Sequence, residues 1–259
     1  MKLSVITTMY HSRNYLHEFY FKTVSAIKEL DLTYEIIFVD DGSPDDSLRI
    51  ALEIQQIDAN VHVIELSKNF GHQRAIMTGL QHTRGDYVFL IDCDLEEDPS
   101  LLKVFWEKLL TNESLDVVYG VQVKRKGGWF ERNSGRFFYT LLSYLSSIKY
   151  PADTLTARVM SRRYIEAIKT FTEKELDLWG VFVMAGFNQE SVAVTKGFKG
   201  ASTYTFRKKV KRGVEIITSL SHRPLYITFI LGLLSFLFAM INIAVIVYKK
   251  YFLEIDVEG

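Results

Sequence analysis

The chain has 259 residues, enough for one large domain or for one domain with an appendage. Hydrophobic residues make up 48% of the sequence, so a sizeable core can form, while 31 basic and 31 acidic residues leave no net charge that would favour nucleic acid as a partner. The one cysteine, Cys93, excludes a disulfide framework within the chain and a cysteine-rich zinc site.

Short runs rich in β-branched and aromatic residues alternate with helix-like stretches in the first hundred residues. The predicted strands are LSVITT (3–8), YEIIFVD (34–40), VHVIEL (61–66) and YVFLID (87–92). The predicted helices between them cover residues 14–30, 45–57 and 73–83. Alternating strands and helices indicate an α/β fold with a parallel sheet covered on both faces, and the nearly continuous apolar strands agree.

The pattern continues after Pro99 with a predicted helix over 100–110 and a predicted strand over 116–123. A basic loop, KRKGGWFER (124–132), follows. The segment 153–198 has a mixed pattern that predicts no definite topology.

Polar and acidic residues gather where the predicted strands end. They are Thr8 and Tyr10 after the first strand, Asp40, Asp41, Gly42 and Ser43 after the second, Asn69 and Gly71 after the third, and Asp92 and Asp94 after the fourth. Ligands of open α/β sheets bind outside the carboxyl ends of the strands. We therefore expect a ligand site at this edge.

The stretch FLIDCDLEEDP (89–99) places five carboxylates within seven residues, directly after a buried strand. The sequence has neither a GxGxxG motif after the first strand nor a Walker A motif, so a Gly-rich phosphate loop is excluded. A divalent cation held by Asp92 and Asp94 could neutralise a phosphate ligand instead, and Mg²⁺ or Mn²⁺ accepts such oxygen ligands. A solvated turn would also explain Asp-x-Asp, and an Asx-type turn cap would explain Asp40.

Residues 225–248 form an uncharged segment of 24 residues. As a helix it would span roughly 36 Å, enough for a hydrocarbon core of about 30 Å, although a buried core helix is the alternative. More basic residues precede the segment, at 207–212 and Arg223, than follow it, and the N-terminus has no signal-peptide pattern. We therefore expect a plasma or inner membrane protein with residues 1–223 in the cytoplasm.

The predicted division of the chain follows from this segment. A catalytic domain covers 1–204, a basic amphipathic juxtamembrane helix 205–223, a transmembrane helix 224–248 and a tail 249–259. The juxtamembrane helix could lie on an anionic leaflet of membrane lipid or could be an ordinary solvated helix.

Several motifs occur together in one order and spacing. They are VITTMYHS, FVDDGSPDDS, LSKNFGHQRAIMTGL, GDYVFLIDCDLEEDP and YGVQVKRKGGWFERNSGRFFY, with TARVMSRRYIEAI and SLSHRPLYITFILGLL later in the chain. This combination resembles family 2 glycosyltransferases of GT-A fold, and in particular the polyprenyl-phosphate glycosyltransferases. The resemblance implies a Rossmann-like, mostly parallel sheet. It also implies metal-dependent, inverting transfer of a sugar from a nucleotide-diphospho-sugar, UDP favoured, to polyprenyl (undecaprenyl) phosphate in cell-surface polysaccharide or glycan synthesis.

The resemblance also implies roles for individual residues of the donor site. Thr8 and Tyr10 would line the base pocket, Asp41 would accept a hydrogen bond from the base, and Asp40 would support it. The remaining donor-binding positions are Gly42, Ser43, Asn69, Gly71, Gln73 and Asp92. The metal ligands would be Asp92, Asp94 and Glu96, whereas Glu97 and Asp98 are interpreted as an acidic cap of the next helix.

The basic loop would bind the acceptor. Lys124, Arg125, Arg132 and Arg136 could contact the phosphate of a lipid, because arginine makes bidentate phosphate contacts. A solvated loop with a packed tryptophan is the alternative.

The chain departs from the family pattern at Thr156, where relatives carry Asp or Ser. A neutral Thr156 cannot act as a general base, which a sugar hydroxyl acceptor requires and an ionised phosphate does not. The departure favours a phosphate nucleophile, although Asp153 could still serve as a base. The candidate catalytic residues are Asp94, Asp153 and Arg158. Arg158 would orient the acceptor.

Two other functions stay open at this point. One is transfer to a hydroxyl of a lipid-linked saccharide, as in O-antigen or capsule assembly, and the other is an inactive nucleotide-binding membrane module. The resemblance further suggests a homo-oligomer, and a single span could mean that the C-terminus is truncated.

Overall fold

The computed structural model describes residues 1–122, 154–171, 177–195 and 223–252. The first part of the chain alternates strands and helices. Its elements are β1 (Lys2–Met9), α1 (Leu16–Lys28), β2 (Thr33–Asp40), α2 (Ser47–Ile57), β3 (Val61–Glu65), α3 (His72–His82), β4 (Tyr87–Leu90), α4 (Leu101–Thr111) and β5 (Val117–Gln122). The later elements are β6 (Thr154–Ser161), α5 (Arg162–Lys169), α6 (Leu178–Met184), β7 (Gln189–Val194) and α7 (Arg223–Phe252).

The seven described strands form one sheet in the order β3-β2-β1-β4-β6-β5-β7. Parallel pairing joins β3 to β2, β2 to β1, β1 to β4 and β5 to β7. The exception is β6, which is antiparallel to both of its neighbours, β4 and β5. The prediction of an α/β fold with a mostly parallel sheet is confirmed.

Helices cover both faces of the sheet. One apolar cluster joins the sheet to α1, α2 and α4, and contains Leu3, Phe19, Ile54 and Phe105. A second cluster joins the other face to α3, α5 and α6, and contains Ile6, Leu80, Tyr164 and Phe182. Because both faces are buried, the strands need the nearly continuous apolar sequences from which they were predicted.

The predicted boundaries lie within a few residues of the observed ones where the pattern was regular. One difference matters for the site: β4 ends at Leu90, so Asp92 lies two residues beyond the strand. The segment 153–198, which predicted no topology, supplies β6, α5, α6 and β7 in its described part.

Helix α7 contains the uncharged segment found in the sequence. Its stretch Leu225–Tyr251 has a mean hydropathy of 2.7 over its most apolar window and is long and apolar enough to cross a membrane. Its side chains from Leu225 to Tyr251 are exposed in the isolated chain, as a lipid-facing helix requires, whereas the alternative of a core helix requires burial.

Candidate active site

The carboxyl ends of β2, β1 and β4 lie side by side, because β1 pairs with both other strands. The last residues of these strands and the sequences that follow them carry most of the predicted donor-site residues. This adjacency is the topological reason why residues far apart in sequence share one edge of the sheet.

At the end of β2, the side chain of Asp41 connects two loops. It is only 3% exposed. Its Oδ1 accepts a hydrogen bond from the Phe70 N–H at 2.7 Å, and its Oδ2 accepts one from the Gly71 N–H at 3.0 Å. The carboxylate therefore fixes the chain that enters α3, and a contact with a nucleotide base has to use the lone pairs that remain.

Gly42 permits this close approach of the two loops, and Gly71 permits the backbone conformation that leads into α3. Gly42 has a φ of +64°, and a Cβ there would lie 2.6 Å from the backbone nitrogen of Asn69. Gly71 has a φ of +96°, in the left-handed region that disfavours other residues. Both predicted donor-site glycines are thus needed for the conformation of the backbone, apart from any contact with a ligand.

Asp40 is also buried beside Asp41. Its Oδ2 accepts a hydrogen bond from the Ser43 N–H at 3.1 Å, which is the turn cap that the sequence left open. Its Oδ1 has no hydrogen-bond partner among the described residues. Burial raises the pKa of Asp40, and the nearby carboxylates of Glu65, Asp45 and Asp41 add to that rise.

Asp45, which the sequence analysis missed, organises the loop before α2. Its Oδ1 accepts hydrogen bonds from the Ser43 hydroxyl at 2.6 Å and from the Ser47 hydroxyl at 2.5 Å, and its Oδ2 accepts one from the Arg13 N–H at 3.3 Å. Burial opposes ionisation, but these hydrogen bonds prevail and lower the pKa of Asp45 to about 2. Ser43 and Ser47, two residues before and two residues after Asp45, were the available signal for such a turn.

At the end of β4, Asp92 has a partner on each side. The Thr156 hydroxyl donates to its Oδ2 at 2.8 Å, and Nε2 of His72 lies 3.6 Å from its Oδ1. The other ring nitrogen of His72, Nδ1, lies 3.0 Å from the Thr8 hydroxyl. The Asp92 side chain remains 30% exposed, so it can still reach a ligand.

Asp94 and Glu96 lie on a tight turn just beyond Asp92. The Glu96 N–H donates to Oδ1 of Asp94 at 3.0 Å, and Leu95 between them has a φ of +60°. Both acidic side chains are partly exposed. A turn was the alternative explanation of Asp-x-Asp in the sequence, and a turn by itself does not exclude a cation site.

The donor set of this turn fits a hard divalent cation. Within the described ranges, no three side chains of His, Cys, Asp and Glu come together as a complete binding group. Mg²⁺ typically takes only one or two carboxylates and completes its shell with substrate phosphates and water, so two carboxylates would be enough for such a site. The metal site, with Asp92, Asp94 and Glu96 as its ligands, stays a prediction.

Glu97 corrects the sequence interpretation. It is 2% exposed, and its carboxylate accepts hydrogen bonds from the N–H groups of Thr156 at 3.2 Å and Ala157 at 2.7 Å. The acidic-cap interpretation of Glu97 is therefore wrong, because its side chain anchors β6 beneath the site. Asp98, by contrast, accepts from the Ser100 N–H at 2.9 Å just before α4, as a residue at a helix start does.

Arg158 lies below the surface and is 2% exposed. Its guanidinium donates to the carbonyls of Thr156 and Leu155 and lies over the rings of Trp179 and Phe182, 4.7 and 3.9 Å from their centroids. Burial lowers its pKa to about 10, so it remains charged at neutral pH. In this position it contacts the backbone of β6 and two rings of α6, while the charge of Asp92 also acts on it.

The other predicted residues have distinct surroundings. Tyr10 is exposed, with its ring edge against His11. The side chain of Gln73 accepts a hydrogen bond from the Leu178 N–H at 3.1 Å, which ties α3 to α6. Burial raises the pKa of Cys93 to about 11, which disfavours a nucleophilic thiolate at neutral pH.

Five predicted site residues lie outside the described residues. They are Asp153 of the candidate catalytic set and Lys124, Arg125, Arg132 and Arg136 of the acceptor loop. The predicted juxtamembrane helix, up to residue 222, lies outside them as well.

The comparisons with known proteins agree on one family. The model of "Glycosyl transferase family 2" matches residues 4–175. A protein of Mycobacterium tuberculosis (strain CDC 1551 / Oshkosh) that bears a glycosyltransferase name is 44% identical over 92% of this chain and 69% of its own length. The "Undecaprenyl-phosphate 4-deoxy-4-formamido-L-arabinose transferase" of Sodalis glossinidius (strain morsitans) is 27% identical over 93% of this chain and 76% of its own.

A solved structure supports the fold. The crystal structure of S. aureus TarS 1-349 in complex with UDP-GlcNAc superimposes with a TM-score of 0.53. It is 20% identical to this chain and covers 84% of it, with 65% of the TarS chain matched. The sheet and its covering helices are thus those of a GT-A-like glycosyltransferase domain.

Proposed function

The chain belongs to glycosyl transferase family 2, and we propose that it is a membrane-anchored inverting transferase that moves a sugar from a nucleotide-diphospho-sugar to a polyprenyl phosphate. The observation that carries this proposal is the pair Asp92 and Asp94 at the carboxyl edge of the sheet, partly exposed beside Thr8 and His72. This is the edge at which an open α/β sheet binds a nucleotide.

The donor would lie across the ends of β1, β2 and β4. Tyr10 offers an exposed ring for the base, and Asp40 has a buried carboxylate oxygen without a hydrogen-bond partner in the described chain. TarS, which shares the fold, was solved with UDP-GlcNAc, and this supports a nucleotide sugar here. We favour uridine as the base.

Asp92 and Asp94 would hold a divalent cation together with the donor's diphosphate. When bound, Mg²⁺ or Mn²⁺ neutralises the negative charge that develops on the leaving diphosphate. The contribution of the chain itself is to present two oxygen ligands on a turn whose shape is fixed by the Asp94–Glu96 hydrogen bond.

The surroundings of Thr156 favour a phosphate as the acceptor. Its hydroxyl is neutral and already donates to Asp92 at 2.8 Å, so it provides no base for a sugar hydroxyl. A phosphate oxygen is ionised at neutral pH and needs none. The relative from Sodalis glossinidius is named for undecaprenyl phosphate, which points to the same acceptor class.

The reaction would be a single in-line displacement. An oxygen of the acceptor phosphate attacks the anomeric carbon, and its new bond forms as the bond from that carbon to the donor's diphosphate oxygen breaks. The electron pair leaves with the nucleoside diphosphate, and the anomeric configuration inverts.

The membrane helix would bring the lipid to this site. A polyprenyl phosphate stays in the bilayer. An enzyme anchored by α7 would therefore encounter it by lateral diffusion within the membrane. The excess of basic residues before α7 supports a cytoplasmic catalytic domain, where nucleotide sugars are available.

A donor screen tests the proposal. The detergent-solubilised full chain is incubated with undecaprenyl phosphate, MnCl₂ and each of a set of labelled UDP- and GDP-sugars, and released nucleoside diphosphate and lipid-extractable label are measured. We expect one donor to transfer label to bare undecaprenyl phosphate. Label on a preformed glycolipid alone would establish the saccharide acceptor instead. Metal-dependent nucleotide binding without turnover of any donor would establish an inactive module.

A further inference from the structure

His72 occupies a position that the donor-site prediction did not use. It is the first residue of α3. Its backbone is held in place because the two preceding residues, Phe70 and Gly71, donate their N–H groups to the buried carboxylate of Asp41. Its side chain is 44% exposed and lies between the ends of β1 and β4. It therefore combines a fixed backbone with an imidazole at the open edge of the site.

The two ring nitrogens of His72 face different strands. Nδ1 lies 3.0 Å from the Thr8 hydroxyl at the end of β1, and Nε2 lies 3.6 Å from Oδ1 of Asp92 beyond β4. When the Thr8 hydroxyl donates to Nδ1, the ring proton is on Nε2 and is directed at Asp92. The shift needed to bring this contact within hydrogen-bond distance is a few tenths of an ångström.

Asp92 is held from its other side by Thr156. The hydroxyl of Thr156 donates to Oδ2 at 2.8 Å, while the backbone of the same residue is anchored by Glu97 at 3.2 Å. The two oxygens of Asp92 thus face groups from opposite sides, an imidazole on α3 and a hydroxyl on β6. Such an arrangement restricts rotation of the carboxylate about its side-chain bonds.

We propose that His72 and Thr156 are positioning residues that hold Asp92 in the orientation required for binding the donor's diphosphate. This inference rests on the proposed function, in which Asp92 faces the nucleotide sugar. It also assigns a function to Thr156. This residue stands where the family has a candidate base, and its hydroxyl orients the carboxylate of Asp92 instead. Groups that orient a ligand in this way affect binding by about 10- to 100-fold when they are removed.

Equilibrium binding of UDP and GDP in the presence of MnCl₂ tests the inference, with the full chain in detergent. We expect His72→Ala and Thr156→Val each to weaken binding of the nucleotide that the wild type prefers by about tenfold. Thr156→Ser, which keeps the hydroxyl, is expected to retain wild-type affinity. His82→Ala is the matched control, since it removes an exposed histidine from the other end of α3.

A double-mutant cycle distinguishes positioning from a general loss of structure. If His72 acts through Asp92, His72→Ala has no further effect on nucleotide binding in an Asp92→Asn background. An equal loss in both backgrounds, or unchanged affinity of a folded His72→Ala or Thr156→Val variant, overturns the inference. Thermal unfolding of each variant identifies any that is misfolded, and His72→Ala alone decides the matter if Thr156→Val does not fold.

The same measurement separates this inference from the proposed function. Wild-type protein that binds neither UDP nor GDP with MnCl₂ overturns the proposed function and, with it, the inference. Wild-type binding that His72→Ala leaves unchanged overturns the inference alone.

Discussion

The ends of β2 and β4 carry similar pairs of aspartates in very different surroundings. At the β2 end, Asp40 and Asp41 are buried and accept hydrogen bonds from backbone N–H groups of Ser43, Phe70 and Gly71. At the β4 end, Asp92 is 30% exposed and lies between the side chains of Thr156 and His72. The first pair shapes the loops, and the second faces the open edge of the sheet.

The difference shows what makes an acidic strand end suitable for chemistry. A buried carboxylate that accepts hydrogen bonds from backbone N–H groups has a structural role, because moving it leaves buried donors unpaired. A carboxylate oriented by side chains and still accessible can bind a ligand without that loss. The predictions below test this division, beginning with the largest expected effect.

Asp94→Asn should abolish sugar transfer. The substitution removes one of the two charged oxygen ligands that we propose at the β4 end, so we expect turnover to fall by at least about 100-fold. Since Asp94 is partly exposed, the free energy of unfolding should change little. Release of nucleoside diphosphate measures the first quantity, and thermal unfolding measures the second. Full activity of a correctly folded Asp94→Asn protein would show that the β4 end is not the reactive one.

Asp41→Asn should act mainly on stability. Its carboxylate accepts from two N–H groups, and the amide nitrogen of asparagine would face one of them as a second donor. A buried unsatisfied donor costs about 1 to 3 kcal/mol, so the free energy of unfolding should fall by about that amount. Denaturant unfolding followed by tryptophan fluorescence measures it. A variant as stable as the wild type would remove the distinction between the two ends.

Asp45→Asn should destabilise the β2 end in a pH-dependent way. The pKa of Asp45 is lowered from 3.8 to about 2, so its ionised form stabilises the fold above about pH 4, and this contribution is lost as the pH falls from about 4 toward 2. The variant should therefore be less stable than the wild type at pH 7, by about 1 to 2 kcal/mol, and the gap should narrow below pH 4. Unfolding curves at pH 7, 5, 4 and 3 measure it. A gap that widens on acidification would contradict the assignment.

Asp98→Asn should have the smallest effect. Asp98 is exposed, and its ion pair with Lys22 at 3.6 Å is of the kind that contributes about 0 to 1 kcal/mol. The loss should be confined to stability, within that range, while nucleotide binding stays unchanged. Glu97→Gln provides the contrast next to it, since the Glu97 side chain is buried against the backbone of β6. Equal effects of the two substitutions would contradict the different surroundings of these neighbouring acids.

The sequence predicted the parts of the fold that depend on local pattern. The helices and strands up to β5 have regular apolar periodicity, so their existence and their boundaries, within a few residues, could be predicted. The place of β6 could not, because its antiparallel pairing with β4 and β5 depends on contacts between distant segments.

The candidate site divides in the same way. Asp92 and Asp94 could be identified from a strand end followed by acidic residues. Glu97 could not be separated from Asp98, because its burial depends on the N–H groups of Thr156 and Ala157, some sixty positions away. His72 had no local signal beyond its place after Gly71, and its relation to Asp92 appears only when β1, α3 and β4 are assembled.

The most direct test of the central claim is the metal dependence of nucleotide binding at the β4 end. Binding of UDP and GDP to the full chain is measured with MnCl₂ and with EDTA, for the wild type and for Asp94→Asn. The division between the two ends predicts that the wild type binds one nucleotide tightly only with Mn²⁺, and that Asp94→Asn loses this metal-dependent gain. Equal binding in EDTA, or a metal-dependent gain retained by Asp94→Asn, would contradict it.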